Sequence, residues 1–387
     1  MKILHCLFDD KFMDGTIRVY DCDKRHSNEY LLVKNCPEKY RLRSIKSNRV
    51  RIVSPHAFLS MAQDFDVVIL HTFVCLKYYY ISKIPQNCRV VLYTWGFDIY
   101  GDSYPIVPIK LYDEETREYK KKCHLPKGLK NKVAILLSRL RNSVDRLFRR
   151  HALSRIDYFS GVFPYEYNLV KRYHRYFNAK PVDFYYGDTD FFINDTINTD
   201  IERGKINIIL GNSAAMTNNH HDALTAISNV KLPPSTKIII PLSYAGSPEY
   251  IQWVTDYAES LFPGRVNALK DYMPLQDYLD LTSHCKVAIF FHERQQASDN
   301  IFMQMMYGAK VYMSETSLAY NYLKEEGFVV FSLQSEADKL FDDMTDEMIM
   351  TNRRLLCEKY SAHTIIDRVR LINQQIEADI KNNTKNN

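Results

Sequence analysis

Two separate series of short apolar segments, each alternating with stretches of helical character, constrain this chain more than any other feature. The first series runs 2–8, 30–33, 67–70, 89–93 and 158–162, and the second 206–210, 237–241, 265–269, 287–291, 311–313 and 329–331. Strands that alternate with helices make parallel βα units, because a crossover is needed to bring the chain back to the same edge of a sheet. Two such series predict two facing α/β domains, 1–190 and 191–380. Between them Phe184-Tyr185-Tyr186-Gly187-Asp188 and the polar stretch 194–204 read as the linker, since turn formers cluster there and apolar periodicity stops. Residues 346–380 read as helix, and 381–387 as a disordered tail too polar to pack. A chain of 387 residues exceeds what a single core usually serves, which agrees with two domains.

Eight cysteines are scattered without a C-x-x-C pair, and the chain opens without a basic-then-apolar leader, so we expect a reducing cytoplasm and no zinc site. No apolar stretch approaches the roughly 20 residues that span a bilayer. The net charge of +5 is unevenly placed: between Tyr119 and Arg155 twelve Lys or Arg face one acid, Asp145. Within that stretch Val133, Leu136, Leu137, Leu140, Val144, Leu147 and Phe148 share one helical face, and Arg139, Arg141, Arg146, Arg149 and Arg150 the other. Such a helix suits an anionic membrane surface. A helix packed on its own domain with a solvated basic side has the same pattern. Nucleic acid is not an expected partner, because the patch lacks interleaved aromatics and any zinc-finger, RNP-like or helix-turn-helix pattern.

Chemistry in α/β proteins collects at strand ends. The segment 89–93 runs into Trp95, Gly96, Asp98 and Tyr100. Asp98 is a candidate general base, with Trp95 and Tyr100 offering rings to a sugar face; a capping aspartate beside a core tryptophan accounts for the same residues. His71, directly after 67–70, is a second candidate base or a structural histidine. In the second series 206–210 delivers Gly211-Asn212-Ser213, where a glycine permits close backbone approach and amides opening a helix can hold a diphosphate. An ordinary turn uses the same residues. His220 and His221 sit where that helix begins, as a phosphate contact or a solvated pair. Arg294 follows 287–291 with a fork suited to phosphate oxygens, and Gln295 and Gln296 can reach base, ribose or sugar hydroxyls.

With these residues the chain resembles the bacterial TDP-N-acetylfucosamine:lipid II N-acetylfucosaminyltransferases, glycosyltransferase family 56. The resemblance rests on Ile209-Leu210-Gly211-Asn212-Ser213 with Asn219-His220 and Ala223-Leu224, on Ile240-Pro241 with Tyr244, and on Trp95-Gly96-x-Asp98-x-Tyr100. Gly161-Val162-Phe163 and Arg294-Gln295-Gln296 complete it, over about 70–330, while the first 65 residues match poorly. It implies the GT-B fold, two facing Rossmann-like parallel-sheet domains, with the nucleotide-sugar donor on the second and a polyprenyl-diphosphate-linked saccharide acceptor on the first. It also implies a peripheral enzyme at the cytoplasmic face of the bacterial inner membrane. Donor contacts are then expected from Gly211, Asn212, Ser213, His220, Tyr244, Arg294, Gln295, Gln296 and Asp299.

Many GT-B enzymes hold the donor ribose with a carboxylate on the helix before a glycine turn. Here Gly308-Ala309-Lys310-Val311 fits the turn, but 300–307 holds no Glu, leaving Asp299 or Gln304 to substitute. Asp299-Asn300 also reads as a helix cap. Asp9-Asp10 looks like a metal-binding pair, yet no Asp-x-Asp follows a later strand, so we expect no cofactor and no metal. Ser243 lacks the Gly-x-Ser-x-Gly turn of an esterase. Transfer from another donor, such as GDP-fucose or a UDP-sugar, is one alternative reading. A non-catalytic membrane- or polyanion-binding protein on a degenerate GT-B scaffold is another, suggested by the absent ribose carboxylate.

Overall fold

The computed structural model describes residues 1–101, 105–123, 143, 147–187 and 204–385. Two parallel sheets hold their strands. The first contains β1 (Lys2–Leu7), β2 (Ser27–Val33), β3 (Val50–Val53), β4 (Val67–Leu70), β5 (Arg89–Tyr93), β6 (Tyr158–Ser160) and β7 (Lys180–Pro181). Its spatial order is β3-β2-β1-β4-β5-β6-β7. The second contains β8 (Asn207–Leu210), β9 (Ile238–Pro241), β10 (Val266–Leu269), β11 (Cys285–Phe290), β12 (Lys310–Met313) and β13 (Phe331–Ser332), in the order β10-β9-β8-β11-β12-β13. Central strands such as Val67-Val68-Ile69-Leu70 and Ile238-Ile239-Ile240 are fully buried, as strands covered by helices on both faces must be. The helices begin where the sequence supplies stops and caps. Ser54 accepts from the Ala57 amide ahead of Pro55–Ala62, and Ser247 from the Tyr250 amide ahead of Pro248–Leu261, each with proline in the first turn.

All six strands expected in the second half are present. In the first half β3 and β7 add to the expected set; both are short and lie at the sheet edges, where a charged residue (Arg51) or a proline (Pro181) is tolerated. The 346–380 helix is two helices, Asp346–Tyr360 and Ala362–Lys385, and the second runs through most of the segment expected to be a disordered tail.

The chain divides into unit 1, Met1–Pro108 with Pro126–Asp188 and Ala362–Asn387, and unit 2, Ile109–Leu125 with Thr189–Ser361. This differs from an uninterrupted 1–190 and 191–380. Within unit 2, Asp222 accepts from the Glu115 amide (2.8 Å), the Thr116 amide (3.2 Å) and the Thr116 hydroxyl (2.6 Å), and Tyr119 stacks on Trp253 with centroids 3.9 Å apart. Within unit 1, Asp379 takes Lys180 at 2.6 Å and the Tyr158 hydroxyl, and Ile365, Val369, Ile372 and Ile376 are buried.

Most of the basic amphipathic stretch from Val133 to Phe148, with Arg139, Arg141 and Arg146, lies outside the described residues. Arg149 opens the helix Arg149–Ser154 and donates to the Pro105 carbonyl at 3.3 Å. No described helix is long and apolar enough to cross a membrane.

Candidate active site

In unit 2 the strand order reverses between β8 and β11, so the loops 211–219 and 291–297 flank the crevice where open α/β sheets take ligands. Gly211 sits at φ +74°, and a Cβ there would lie 2.9 Å from Asn218 Oδ1 and 3.0 Å from His220 Nε2. Only glycine fits. Asn218 organises the loop: its Oδ1 accepts from the Asn212 amide (3.0 Å) and from His292 Nε2 (2.8 Å), and its Nδ2 donates to the Ser213 carbonyl (2.9 Å). Because that oxygen is an acceptor, His292 carries its proton on Nε2 and leaves Nδ1 bare. Burial holds His292 well below the usual histidine range and lowers His220 to about 3, so both rings are neutral. His220 Nδ1 meets the Tyr250 hydroxyl at 3.0 Å, while His220 Nε2 and His292 Nδ1 are buried without a hydrogen-bond partner.

Side chains reaching the rim form a second network. Asn212 Nδ2 donates to the Tyr244 hydroxyl (3.0 Å), Gln296 Nε2 donates to Asn212 Oδ1 (3.1 Å), and the Thr217 hydroxyl donates to Gln296 Oε1 (2.6 Å). Tyr244 is 56% exposed. Arg294 is half-buried and donates to the Gln295 carbonyl at 2.7 Å. The helix Ser298–Met306 starts after Ala297, at φ +56°, and no side chain caps it. That corrects the expected Asp299-Asn300 cap, because Asn300 Oδ1 instead accepts from the Tyr278 hydroxyl at 3.1 Å and Asp299 falls in the first turn. Ala297, Ala245 (φ +68°) and Asn219 (φ +50°) are the non-glycine residues with positive φ among those described, and all lie in unit 2 loops after strands. Each left-handed residue costs about 1–2 kcal/mol, the kind of strain that collects at binding loops.

Four expectations for unit 2 change on burial. Ser213 and Gln295 are almost fully buried and His220 and Gln304 completely so, which places them behind the rim. His221 is neither solvated nor a ligand: its ring lies flat between Trp253 (3.2 Å between centroids) and Tyr257 (3.9 Å), and its Nε2 meets the Trp253 carbonyl. Thr217, Asn218 and His292 belong to the site without having been singled out. The run Thr217-Asn218-Asn219 ahead of a helix was the trace of the first two in the sequence, and His292 had only its place after 287–291.

Unit 1 reverses its order between β1 and β4, and the loops after β1, β4 and β5 share that edge. The Trp95 ring lies against Tyr186 (4.5 Å), Phe12 (5.5 Å), Phe8 (6.4 Å) and Phe97 (6.4 Å), and its Nε1 donates to the His71 carbonyl at 2.8 Å. Phe97 is 39% exposed, so this cluster presents aromatic surface. Tyr100, at 1% exposure, is in the core and offers no ring to a sugar. Asp98 fastens two loops together: it accepts from the Thr72 hydroxyl (2.8 Å), the Phe73 amide (3.2 Å) and the Trp95 amide (2.9 Å), and burial raises its pKa. His71 is fully buried between His5 Nδ1 and the Tyr186 hydroxyl, each at 3.0 Å, and desolvation holds it well below the usual range. A third acid was not anticipated. Glu166, fully buried, accepts from the Val162 amide (2.6 Å) and the Phe163 amide (3.2 Å), and burial pushes it to about 7 despite those two amides. Asp9 takes the Tyr40 hydroxyl and the amides of Arg43, Ser44 and Ile45, so it pins a loop. Among the described residues no three His, Cys, Asp or Glu gather in a way that could hold a metal ion.

A family profile described as 4-alpha-L-fucosyltransferase glycosyl transferase group 56 matches residues 146–360. Solved structures similar in fold include Anabaena HepE in complex with UDP and glucose, 13% identical over 97% of this chain and 100% of that one, with a TM-score of 0.60. Sucrose-phosphate synthase from Thermosynechococcus elongatus is 9% identical over 98% and 100% of the two chains, with a TM-score of 0.64. The lipopolysaccharide outer core galactosyltransferase WaaB is 9% identical over the same shares, with a TM-score of 0.61. The likeness to them is one of fold, and that fold is GT-B.

Proposed function

This chain belongs to glycosyl transferase group 56, the 4-alpha-L-fucosyltransferase family, and is a glycosyltransferase; from that premise we propose that it moves a deoxy-amino sugar of the N-acetylfucosamine type from a TDP-sugar to a polyprenyl-diphosphate-linked saccharide in surface-polysaccharide assembly. The observation that carries the donor half is the unit 2 crevice, where Gly211 brings bare backbone to the end of β8 opposite the uncapped helix Ser298–Met306 and Arg294. Amides at a helix start and a guanidinium fork are suited to a leaving diphosphate, and act on the charge that develops as the glycosidic bond to phosphate breaks. In this reading they do so without a metal ion. The exposed Tyr244 ring and the Asn212–Gln296 pair supply stacking and hydrogen bonds for base or sugar. That the similarly folded Anabaena HepE was crystallised with UDP and glucose supports a nucleotide-sugar site of this kind.

The acceptor half rests on the Trp95 cluster of unit 1, whose aromatic surface suits the apolar face of a sugar ring. Arg139, Arg141, Arg146 and Arg149 would hold the enzyme to anionic lipid at the cytoplasmic face of the bacterial inner membrane, beside a lipid-linked acceptor.

Thermal-shift measurements with TDP-, UDP- and GDP-sugars test the donor, because a ligand that binds only the folded protein raises its melting temperature. The TDP-sugar should give the largest rise, and Arg294→Ala should weaken it by about 1.5–3 kcal/mol, the loss of a charge-assisted hydrogen bond. A larger rise with a UDP- or GDP-sugar would replace the donor; an unchanged affinity in Arg294→Ala would remove Arg294 from the site. Turnover lost to EDTA and restored by manganese would overturn the metal-free reading.

A further inference from the structure

Four carboxylates gather near the C-terminal edge of the unit 1 sheet, and they differ in what they hold. Asp9 ties β1 to the loop of Tyr40, Arg43, Ser44 and Ile45; Asp98 ties Thr72 and Phe73 to Trp95; Glu166 accepts from the Val162 and Phe163 amides of its own turn. Asp9 and Asp98 each join separate parts of the unit through backbone and side-chain donors, and Glu166 is fully buried. Asp10 joins nothing beyond its own turn. It accepts from the Phe12 amide at 3.1 Å, its own amide donates to the Phe8 carbonyl at 2.9 Å, and among the described residues no side chain donates to it. It is half-buried at the end of β1, the strand beside the order reversal, between Phe8 and Phe12, whose rings both lie against Trp95.

We propose that Asp10, and not Asp98, is the general base that takes the proton of the acceptor hydroxyl. The acceptor oxygen bonds to the anomeric carbon of the donor sugar as that carbon's bond to the diphosphate oxygen breaks. The bonding pair leaves with the nucleoside diphosphate, and the hydroxyl proton passes to the Asp10 carboxylate. Burial raises the Asp10 pKa and the neighbouring Asp9 charge adds to it, while the Phe12 and Lys11 amides and the Lys11 ammonium oppose the rise, and a raised pKa makes a carboxylate a stronger base. The proposal rests on the reading that unit 1 takes the acceptor.

Asp10 also stands one residue ahead of Lys11, the N-cap of the helix Phe12–Asp21, and its Oδ1 accepts from the Phe12 amide as a capping side chain would. Asn and Ser cap a helix about as well as Asp, but neither is a comparable base. Asp10→Asn and Asp10→Ser therefore separate the two roles. Both variants should melt within about 2 °C of the wild type and bind the nucleoside diphosphate equally well by calorimetry, while kcat falls on the order of 10²- to 10⁴-fold with little change in KM. Asp10→Glu should recover part of kcat. The acid limb of the wild-type kcat profile should vanish in the residual activity of the Asn variant. A folded Asn or Ser variant that keeps kcat within tenfold of wild type would overturn the assignment. The comparison is made with whichever donor and acceptor the wild type uses, so a wild type that rejects a TDP-sugar or a lipid-linked acceptor overturns the substrate reading and leaves the Asp10 result readable.

Discussion

Glu166→Gln should make the protein more stable at pH 8 than the wild type and flatten its response to pH. The wild-type carboxyl is fully buried, with Gly161 so close that a Cβ there would sit 2.6 Å from it, and its pKa is about 7 in place of 4.5. The folded protein thus holds this proton more tightly than the unfolded chain does. Stability from that preference is fully present below about pH 4.5 and is lost as pH rises through about 7. The difference between the two pKa values corresponds to about 3 kcal/mol, or roughly 6–12 °C in melting temperature for a unit of this size. A glutamine oxygen can accept from the same Val162 and Phe163 amides, so the substitution removes the charge and keeps those hydrogen bonds. The assay is thermal unfolding of both proteins between pH 4.5 and 8, read as the difference between their melting temperatures, which cancels every group they share. The Gln variant should gain steadily on the wild type as pH rises. A difference that stays constant across the range would refute the raised pKa, and a difference of opposite slope would show that the ionised form is the one the fold prefers.

Gly211→Ala should cost about 2–5 kcal/mol, the sum of a left-handed alanine and the displacement of the Asn218 oxygen from the hydrogen bonds it accepts, and should weaken nucleotide binding with it; an unchanged melting temperature and affinity would show that the loop yields freely. The wild type should co-sediment with vesicles containing anionic lipid and detach as salt rises, whereas replacing Arg139, Arg141, Arg146 and Arg149 with Glu should abolish sedimentation and keep transfer to a short soluble acceptor. Vesicle binding that survives the four substitutions would end the membrane reading.

The second sheet was legible because its central strands are buried on both faces and so read as unbroken apolar runs such as Ile238-Ile239-Ile240, bounded by turn residues. β3 and β7 escaped notice because two- to four-residue edge strands leave no such run. The candidate donor loop could be pointed to at Gly211, Asn212 and Arg294 because they follow buried strands, although an ordinary turn uses the first two as readily. Its organiser, Asn218, was not, since its role lies in which atoms converge on one amide. Glu166 was hidden for the opposite reason: in Pro164-Tyr165-Glu166-Tyr167 it reads as an ordinary exposed acid in the first turn of a helix, and only the packing against Gly161 buries it. Asp98 and Tyr100 stood in one strand-end motif, but three donors bind the first and the core encloses the second.

The ties of the last helix bear on how the chain is made. During synthesis every strand of the first sheet leaves the ribosome long before residues 362–385 do, yet that helix lies on Phe12–Asp21, and its Asn373 donates to Asp23 at 3.3 Å. Unit 1 therefore waits through the production of nearly all of unit 2 with the apolar face meant for Ile365, Val369, Ile372 and Ile376 uncovered. The first half to emerge is the last to be finished, and the nascent protein carries its exposed surface, open to chaperones and to its neighbours on the polysome, until residues 362–385 have been made.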